Sequence, residues 1–337
     1  MRYIGLDVHK MNTTACVLSA GGKVVRTLEV RSNTSGLQVL HDYMKNTDYV
    51  VMMESSTYSY VAYRFFTDRG VETHVVHARS LRTITDSDKK TDRKDAVAIA
   101  RYLRLWKKGE LDLSISFIPD REQAELKDLC RYREEISRKL GDDVRRIKSH
   151  MRRNCQDLPH GYEDLATKKT REMILRSWPK DYTLVDRVHE YSRMLEHSKQ
   201  IAKEVESRGR DDGNVELLAQ IPGIGTQTAV QIMSMIVDIG RFADAEKLCA
   251  YFGLVPRVRD TGGKEIHGRM TKAGDSMMRS IMERVTLSHI NHCDSTVTQY
   301  YRRKEKEMGR KKALATASRK MLVVIHSVLK GQRPFTA

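Results

Sequence analysis

Cysteine and long apolar segments are both scarce in this chain of 337 residues. The five cysteines form no Cys-x-x-Cys pair and no cluster with histidine, which argues against a zinc site and against a disulfide framework. No apolar run reaches the roughly 18 residues that span a bilayer, and the first residues lack the apolar core of a signal peptide. We therefore predict a cytoplasmic protein in a reducing compartment, without a membrane partner.

Two nucleotide-binding signatures are also missing. No Gly-x-Gly-x-x-Gly motif follows a predicted strand and no Walker A sequence is present, so a dinucleotide site and ATP-driven chemistry have no support. Positive charge, in contrast, is abundant. The 60 lysines and arginines exceed the 44 acidic residues, which gives a formal net charge of +16 and a pI of about 9.6. This balance favours a polyanionic partner, and we predict nucleic acid.

One carboxylate stands close to the end of the first predicted strand. Residues 3–6 form a short apolar run without a helical face, and Asp7 follows directly. A buried carboxylate is costly unless a cation, a hydrogen-bond donor or a helix cap satisfies it. Asp7 is therefore either a structural residue of the strand or a ligand of a metal ion.

Three further acids occupy comparable places. Residues 49–53 form a second apolar run that ends on Glu54, and Asp92 and Asp95 lie three residues apart in the first turn of a predicted helix. Four carboxylates at one edge of a sheet repel one another unless divalent cations lie between them, as in a two-metal phosphoryl-transfer site. A simpler role is open for Asp92, which also suits the N-cap of its helix.

The first part of the chain predicts a mixed α/β sheet. The order is β-β-β-α-β-α-β, with strands predicted at residues 3–6, 14–19, 23–30, 49–53 and 71–76 and helices at 34–45 and 58–69. This order is typical of an RNase H-like layer and differs from an all-parallel dinucleotide-binding sheet. Residues 111–119 are non-periodic and are interpreted as a linker, so the first domain is predicted to span residues 1–110.

Helical periodicity dominates the rest of the chain. A helix from residue 121 to about 155 and a second from 179 to about 208 predict an antiparallel coiled-coil arm over residues 120–208. Residues 131–153 carry a net charge of +5, which fits either a solvated helix face or nucleic acid lying along the arm. A mostly helical C-terminal domain is predicted over residues 214–337.

Two elements of the C-terminal domain favour contact with phosphates. Pro222-Gly223-Ile224-Gly225 resembles a helix-hairpin-helix, whose glycines let backbone N–H groups approach a phosphate, and a plain helix-turn-helix joint is the alternative. Residues 300–333 carry a net charge of +9 beside Tyr300 and Tyr301, which are predicted to offer stacking surfaces. The residues predicted to bind nucleic acid are Lys90, Arg145, Arg146, Lys148, Gly223, Gly225, Arg257, Lys264, Arg269, Lys272, Arg302, Arg303, Lys311 and Lys312.

Several motifs together resemble the IS110 family of insertion-sequence transposases, whose relatives include pilin-gene invertases. IGLDVHK at residues 4–10, MESS at 53–56 and KTDRKDA at 90–96 resemble the three segments of the family's RuvC-like DEDD domain. IPGIG at 221–225, YFGLVP at 251–256 and GRMTKAGD at 268–275 resemble the C-terminal transposase domain. The resemblance follows the family's order over nearly the whole chain.

This resemblance implies a DNA recombinase in which Asp7, Glu54, Asp92 and Asp95 bind Mg²⁺, or Mn²⁺ in its place. It further implies a structured bridge RNA that chooses donor and target DNA, and homodimers that assemble into a tetramer in synapsis. The composite sites of such an assembly would draw the acids and the nucleophilic hydroxyl from different subunits.

The position of the family's nucleophile departs from the pattern. The family has a serine directly before a glycine, whereas this chain has Thr261, whose methyl group is expected to slow attack on phosphorus. Ser276 and Ser280 are nearby substitutes. The departure leaves two other functions open: an RNA-guided RuvC-like nuclease in which water is the nucleophile, and a non-catalytic nucleic-acid-binding protein.

Overall fold

The computed structural model describes residues 1–77, 92–261, 264–271 and 274–336, apart from the side chains of Asp92 and of residues 258–261 and 264–269. The chain divides into two compact units, Met1–Ile118 and Pro119–Ala337. The first unit is a mixed α/β sheet domain and the second is mostly helical, as predicted. In the described part of the chain, no helix combines the length and the apolar character needed to cross a membrane.

A six-stranded mixed sheet forms the first unit. Its strands are β1 (Arg2–Val8), β2 (Asn12–Leu18), β3 (Val24–Arg31), β4 (Tyr49–Glu54), β5 (Thr73–Val76) and β6 (Ile115–Ser116), and its helices are α1 (Thr34–Met44), α2 (Ser59–Thr67) and α3 (Asp92–Lys107). The spatial order of the strands is β3-β2-β1-β4-β5-β6. Strands β1, β4 and β5 run parallel, while the other three run antiparallel to their neighbours.

Helices cover both faces of this sheet. One face, which includes Ile4 and Leu6 of β1, packs against α1 and α2. The other face includes Met52 of β4 and packs against Ile99 and Leu103 of α3. Because side chains alternate across a strand, neighbouring residues of β1 and β4 meet different helices. Both strands are therefore buried on two sides, which explains their continuous apolar runs.

The order of elements predicted up to residue 76 is confirmed, with boundaries that shift by at most two residues. The linker predicted at residues 111–119 is wrong in part, because Ile115 and Ser116 pair with Val76 and Val75 as β6. Two residues are too few to show a period, so the local pattern carries no signal for this strand.

Helices make up most of the second unit. They are α4 (Arg121–Arg153), α5 (Lys168–Ser177), α6 (Tyr182–Gly209), α7 (Gly213–Ala219), α8 (Thr226–Ile236), α9 (Ala245–Tyr251), α10 (Ser276–His292), α11 (Thr296–Met308) and α12 (Arg310–Gly331), with a 3-10 turn at Ile239–Arg241. Strands β7 (Pro256–Thr261) and β8 (Lys264–Met270) form an antiparallel hairpin between α9 and α10. The sequence prediction misses α5, whose ten residues show only a short apolar pattern.

Helices α4 and α6 pack side by side in opposite directions. Cys130, early in α4, belongs to the same buried cluster as Val205, late in α6. Ile147, late in α4, packs instead with Val188, early in α6. The sequence fixes the start of α4 with a capping box, in which the side chain of Asp120 accepts the backbone N–H of Gln123 at 2.8 Å.

Tyr301 does not offer the stacking surface predicted for it. Its side chain is buried against Ala313 and Ala317 of α12, and its hydroxyl donates a hydrogen bond of 2.7 Å to Glu305. The ring of Tyr300 is half-buried and contacts two cations, Arg303 and Lys320. The prediction is wrong for Tyr301 because α12 packs back on α11, a contact that the local sequence does not reveal.

Candidate active site

Asp7 and Glu54 stand side by side at one edge of the sheet. Strands β1 and β4 are parallel neighbours, and their register pairs Gly5 with Met52 and Leu6 with Met53. The next residues along the two strands are Asp7 and Glu54, so this register places the two acids beside each other on the same face. Both side chains are partly buried, and that of Asp7 is 15% exposed.

Helix α3 covers this same face through a close approach at Gly5. A Cβ atom on Gly5 would lie 2.3 Å from the backbone oxygen of Ala96 and 2.3 Å from the backbone nitrogen of Ala100. Any side chain at this position would therefore push the helix away from β1.

The direction of α3 follows from a contact near its C-terminal end. Arg104 Nε donates a hydrogen bond of 3.0 Å to the carbonyl oxygen of Ala20. Ala20 lies just beyond Leu18, which pairs with Tyr3 at the beginning of β1. The first turn of α3 therefore lies toward the opposite end of β1, the end that carries Asp7.

Asp92 and Asp95 belong to this first turn. Asp95 is partly buried and directly precedes Ala96, which belongs to the buried face of α3. Asp92 lies three residues earlier, on the same side of the helix, and its side chain is outside the described residues. The topology thus brings the backbone positions of the four predicted acids to one edge of one sheet face.

Two further polar groups lie on or near this face. The Nε2 atom of His9 is 3.1 Å from Oδ2 of Asp7, and the imidazole is 57% exposed. Cys16 pairs with Gly5 on β2 and is buried. Burial raises the pKa of the Cys16 thiol above its usual value.

The chemistry of the predicted donor set fits a hard divalent cation. Carboxylate oxygens are the ligands that Mg²⁺ and Mn²⁺ prefer in proteins. Among the side chains that the structure describes, no three His, Cys, Asp or Glu residues form a metal-binding group. Asp7, Glu54 and Asp95 are among these described side chains and do not form such a group by themselves, whereas the side chain of Asp92 lies outside them.

The predicted nucleophile, Thr261, is the last residue of β7, and its backbone pairs with Lys264 across the hairpin. The side chains of Thr261, Lys264 and Arg269 lie outside the described residues, as do Lys90 and Lys272 altogether. Arg257, near the start of the hairpin, is exposed.

The two alternative hydroxyls lie on the first turns of α10. Ser276 and Ser280 are exposed and line a cleft of about 820 Å³ between α10 and α4. Arg284 donates a hydrogen bond of 3.0 Å to Ser280 Oγ and forms a two-pronged ion pair with Glu134, at 2.7 and 2.9 Å. The cleft thus combines two hydroxyl groups with a guanidinium that a carboxylate holds in place.

Asp275 anchors the start of α10 to α4 in the same cleft. Its side chain accepts the backbone N–H of Met277 at 2.8 Å and pairs with Arg131 at 2.9 Å. Burial acts to raise the pKa of the Asp275 carboxyl, but the hydrogen bonds from Arg131 and Met277 outweigh burial and leave the pKa below its usual value. Asp275 is therefore ionised at neutral pH. Sequence reasoning missed this pair because its members are 144 residues apart.

The remaining predicted contacts with nucleic acid lie at or near the surface. Lys148 on α4 is half-buried, and the exposed residues are Arg145, Arg146, Arg302, Arg303, Lys311 and Lys312. Gly223 has a packing role, because its φ is +93° and a Cβ there would lie 2.7 Å from the backbone nitrogen of His289. Gly225 is exposed at the N-cap of α8 with open space around its Cβ position, so it is the glycine that a phosphate could approach.

Two family models match this chain. A model of the DEDD transposases of IS110 elements, described as a transposase, matches residues 4–155. A second model, described as the transposase IS116/IS110/IS902 family, matches residues 215–302. The first match contains the four predicted acids and the second contains the β7–β8 hairpin.

Individual relatives are similar over most of their lengths. A transposase for insertion sequence element IS1111A from Coxiella burnetii is 22% identical over 99% of this chain and 91% of its own. A pilin gene-inverting protein of Moraxella bovis is 24% identical over 99% of this chain and 97% of its own. A putative transposase, y4qE, of Sinorhizobium fredii is 27% identical over 83% and 70%. The family predicted from the motifs is confirmed, and the chain belongs to the IS110 family of DNA transposases.

Proposed function

We propose that this protein is a metal-dependent DNA recombinase that cuts DNA and rejoins it through a covalent link between a hydroxyl group of the protein and a DNA phosphate. One observation carries the proposal: the register of β1 with β4 sets Asp7 beside Glu54 on the face that α3 covers. Acids from two strands and a helix start then share one edge, as a RuvC-like DEDD site requires.

The acids have a defined role in this proposal. Asp7, Glu54, Asp92 and Asp95 would hold Mg²⁺, or Mn²⁺ in its place. A bound divalent cation supplies positive charge beside the scissile phosphate. The register of β1 with β4 and the close approach of α3 at Gly5 support this role, because they restrict the backbones on which Asp7, Glu54 and Asp95 stand.

The covalent step needs a hydroxyl, and we assign it to Thr261. Its Oγ1 would form a bond to phosphorus while the bond from phosphorus to a bridging sugar oxygen breaks. The hydroxyl proton passes to water or a base, and the departing sugar oxygen takes up a proton. Because the new phosphodiester keeps the energy of the old one, the reverse reaction can rejoin DNA without ATP.

Three regions would divide the work: the RuvC-like domain at residues 1–110, a coiled-coil arm at 120–208 and a C-terminal transposase domain at 214–337. The antiparallel packing of α4 with α6 supports the arm, and open space at Gly225 supports a helix-hairpin-helix contact with phosphate. Clustered positive charge supports a structured bridge RNA that binds between the arm and the basic segment at residues 300–333. Homodimers that pair into a tetramer would complete the composite sites.

The test compares Asp7→Asn with Asp48→Asn. Asp48 is exposed and directly precedes Tyr49, the first residue of β4, whereas Glu54 is the last residue of that strand. Asp48 is therefore an acid far from the candidate site and makes a matched control. We expect Asp7→Asn to lower Mg²⁺-dependent strand cleavage at least 100-fold, while DNA affinity and thermal stability stay close to the parent values. Asp48→Asn should cleave normally, and undiminished cleavage by Asp7→Asn would reject the site.

The nuclease alternative makes a different prediction. If water replaces the protein hydroxyl, cleavage remains dependent on the metal and on Asp7, but no protein–DNA adduct forms on a nicked substrate. A non-catalytic binder would show neither cleavage nor adduct. The bridge RNA is tested separately, because a guided enzyme purified from its natural host retains a discrete RNA whose exchange alters the choice of DNA.

A further inference from the structure

A recess between α4 and α6 brings four arginines together. It has a volume of about 310 Å³ and is lined by Asp142, Arg145, Arg146, Ser149, Arg153 and Arg187. The residues of α4 that line it lie between positions 142 and 153 at helical spacing, so they follow one side of the helix for about 16 Å. Arg187 reaches the recess from α6, next to Val188 in the buried contact between the two helices.

The charges in this recess are only partly compensated. Asp142 pairs with Arg145, and Arg146 is paired with Asp143 at 3.6 Å. Among the described residues, no carboxylate lies within ion-pair distance of Arg153 or Arg187. Among the described lining residues, four guanidinium groups thus share a small volume with one carboxylate, and their mutual repulsion favours the binding of an anion.

The lining identifies the class of anion. A planar guanidinium matches the oxygens of a phosphate with two parallel hydrogen bonds, and the hydroxyl of Ser149 can donate a third. None of the described residues that line the recess is aromatic, so these residues offer no surface on which an unpaired base could stack. The recess therefore suits the phosphate backbone of a duplex better than a single strand.

The recess shares the lining residue Arg145 with the larger cleft beside α10. Arg138, which lies seven residues before Arg145 on α4, lines the cleft that contains Ser276 and Ser280. Residues 131–153 of α4 extend over about 33 Å, close to one turn of a DNA double helix. The arginines on this stretch of α4 are thus spread over a length that matches about one turn of one DNA strand.

We propose that this recess binds consecutive phosphates of duplex DNA running along α4, with Arg153 and Arg187 as its principal contacts. The proposal rests on the proposed function for the identity of DNA as the substrate, and it assigns this recess of the arm to DNA and not to the bridge RNA. Arg187 enters the binding surface through the packing of α6 on α4, and no pattern in the sequence around it marks it for this role.

The test uses the full-length chain and a labelled 20-base-pair DNA duplex, with the dissociation constant measured at several salt concentrations. The double variant Arg153→Gln/Arg187→Gln removes two charges from the recess. Arg176→Gln/Arg193→Gln removes two charges outside it, from exposed residues of α5 and α6, and is the matched control. Thermal unfolding of both variants checks that the fold is retained.

We expect the recess variant to bind the duplex at least tenfold more weakly at low salt. Its slope of log affinity against log salt should be shallower by about 1.8, because each phosphate contact contributes roughly 0.9. The control should change that slope by less than about 0.5. Equal changes in both variants, or an unchanged slope in the recess variant, would overturn the proposal.

Two additional probes separate the possible ligands. Single-stranded DNA and duplex RNA of the same length should lose less affinity than duplex DNA in the recess variant, and a greater loss for either would reject duplex DNA as the occupant. Cleavage is measured in parallel. If the parent protein does not cleave DNA but the recess variant shows the expected change in slope, the proposed function is rejected and the DNA-binding recess is supported. If the parent cleaves DNA normally but the recess variant shows no change in slope, the recess is rejected and the proposed function stands.

Discussion

His289 Nε2 and Ser295 Oγ form a buried hydrogen bond of 2.7 Å between the end of α10 and the start of α11. The other ring nitrogen, Nδ1, lies 2.6 Å from the carbonyl oxygen of Pro222. A carbonyl oxygen can only accept, so Nδ1 carries the proton, and in the neutral ring Nε2 accepts the hydroxyl of Ser295. Ser295 in turn accepts the backbone N–H of Val297 as the N-cap of α11. One imidazole therefore joins two helices to the turn at Pro222.

This network predicts a large effect of His289→Ala on stability. The variant loses two buried hydrogen bonds and leaves a carbonyl oxygen without a partner, so we expect a loss of about 2 to 4 kcal/mol in the free energy of unfolding. Denaturation in urea measures it. His292→Ala, at an exposed position of the same helix, should cost less than about 0.5 kcal/mol. Similar losses in the two variants would show that the network contributes little.

Gly5→Ala should separate α3 from the strand that carries Asp7. The added methyl group would stand 2.3 Å from backbone atoms of α3, and neither the strand nor the helix can yield without disturbing the core. We expect a loss of at least about 2 kcal/mol in stability and of most cleavage activity. Gly21→Ala is the control, because its nearest neighbour is a side-chain oxygen at 3.9 Å. If Gly5→Ala kept full stability, the close contact with α3 would be incorrect.

Asp181 predicts how stability depends on pH. Its carboxylate caps α6 through the N–H of Leu184 and contacts His150 Nε2 at 2.8 Å. The hydrogen bonds from His150 and Gln156 lower the pKa of Asp181 from 3.8 to about 2. Because the pKa is lower in the folded state, the stabilisation is fully present above pH 3.8 and is lost as pH falls through about 2.

Asp181→Asn isolates this contribution, since asparagine can still cap the helix. We expect the parent to exceed the variant in stability by about 1 kcal/mol at pH 6, with the difference shrinking between pH 4 and pH 2. Thermal unfolding of both proteins across this range measures the difference. If the difference in stability between the parent and Asp181→Asn were the same at every pH, the effect would come from packing and not from the charge of Asp181.

Substitutions of Thr261 test the proposed chemistry most directly. If its hydroxyl is the nucleophile, Thr261→Ser should raise strand exchange about tenfold, equal to ~1.4 kcal/mol in the barrier, because the hindering methyl group is gone. Thr261→Ala should abolish covalent protein–DNA adducts while preserving DNA binding. Mass spectrometry of adducts on a nicked substrate identifies the linked residue. A link at Ser276 or Ser280 would transfer the role to the cleft beside α10.

The sequence predicts the local part of the candidate site and leaves out what depends on distant contacts. Apolar runs that end on Asp7 and Glu54 predict strands that finish with acids, because the period of a buried strand is local information. The pairing of Arg131 with Asp275 and the approach of Arg187 to α4 depend on how helices pack, and neither leaves a local pattern. Tyr301 shows the same limit, since its burial is decided by α12.

Some missed features did have a signal. A glycine in the middle of an apolar strand marks a place where another backbone comes close, and Gly5 is such a residue. Strand β6 had no such sequence signal, because two residues are too few to show the alternation of a strand. It is defined only by its pairing with Val75 and Val76.

The register of β1 with β4 has a consequence for how this protein tolerates change. A slip of one residue between these strands would set Met53 beside Asp7 and turn Glu54 into the apolar layer against α1 and α2. The same slip would move Met53 out of that layer. Loss of the acid pair and loss of the core are thus a single event, so an insertion or deletion within β4 should yield an unfolded chain and not a folded, inactive one.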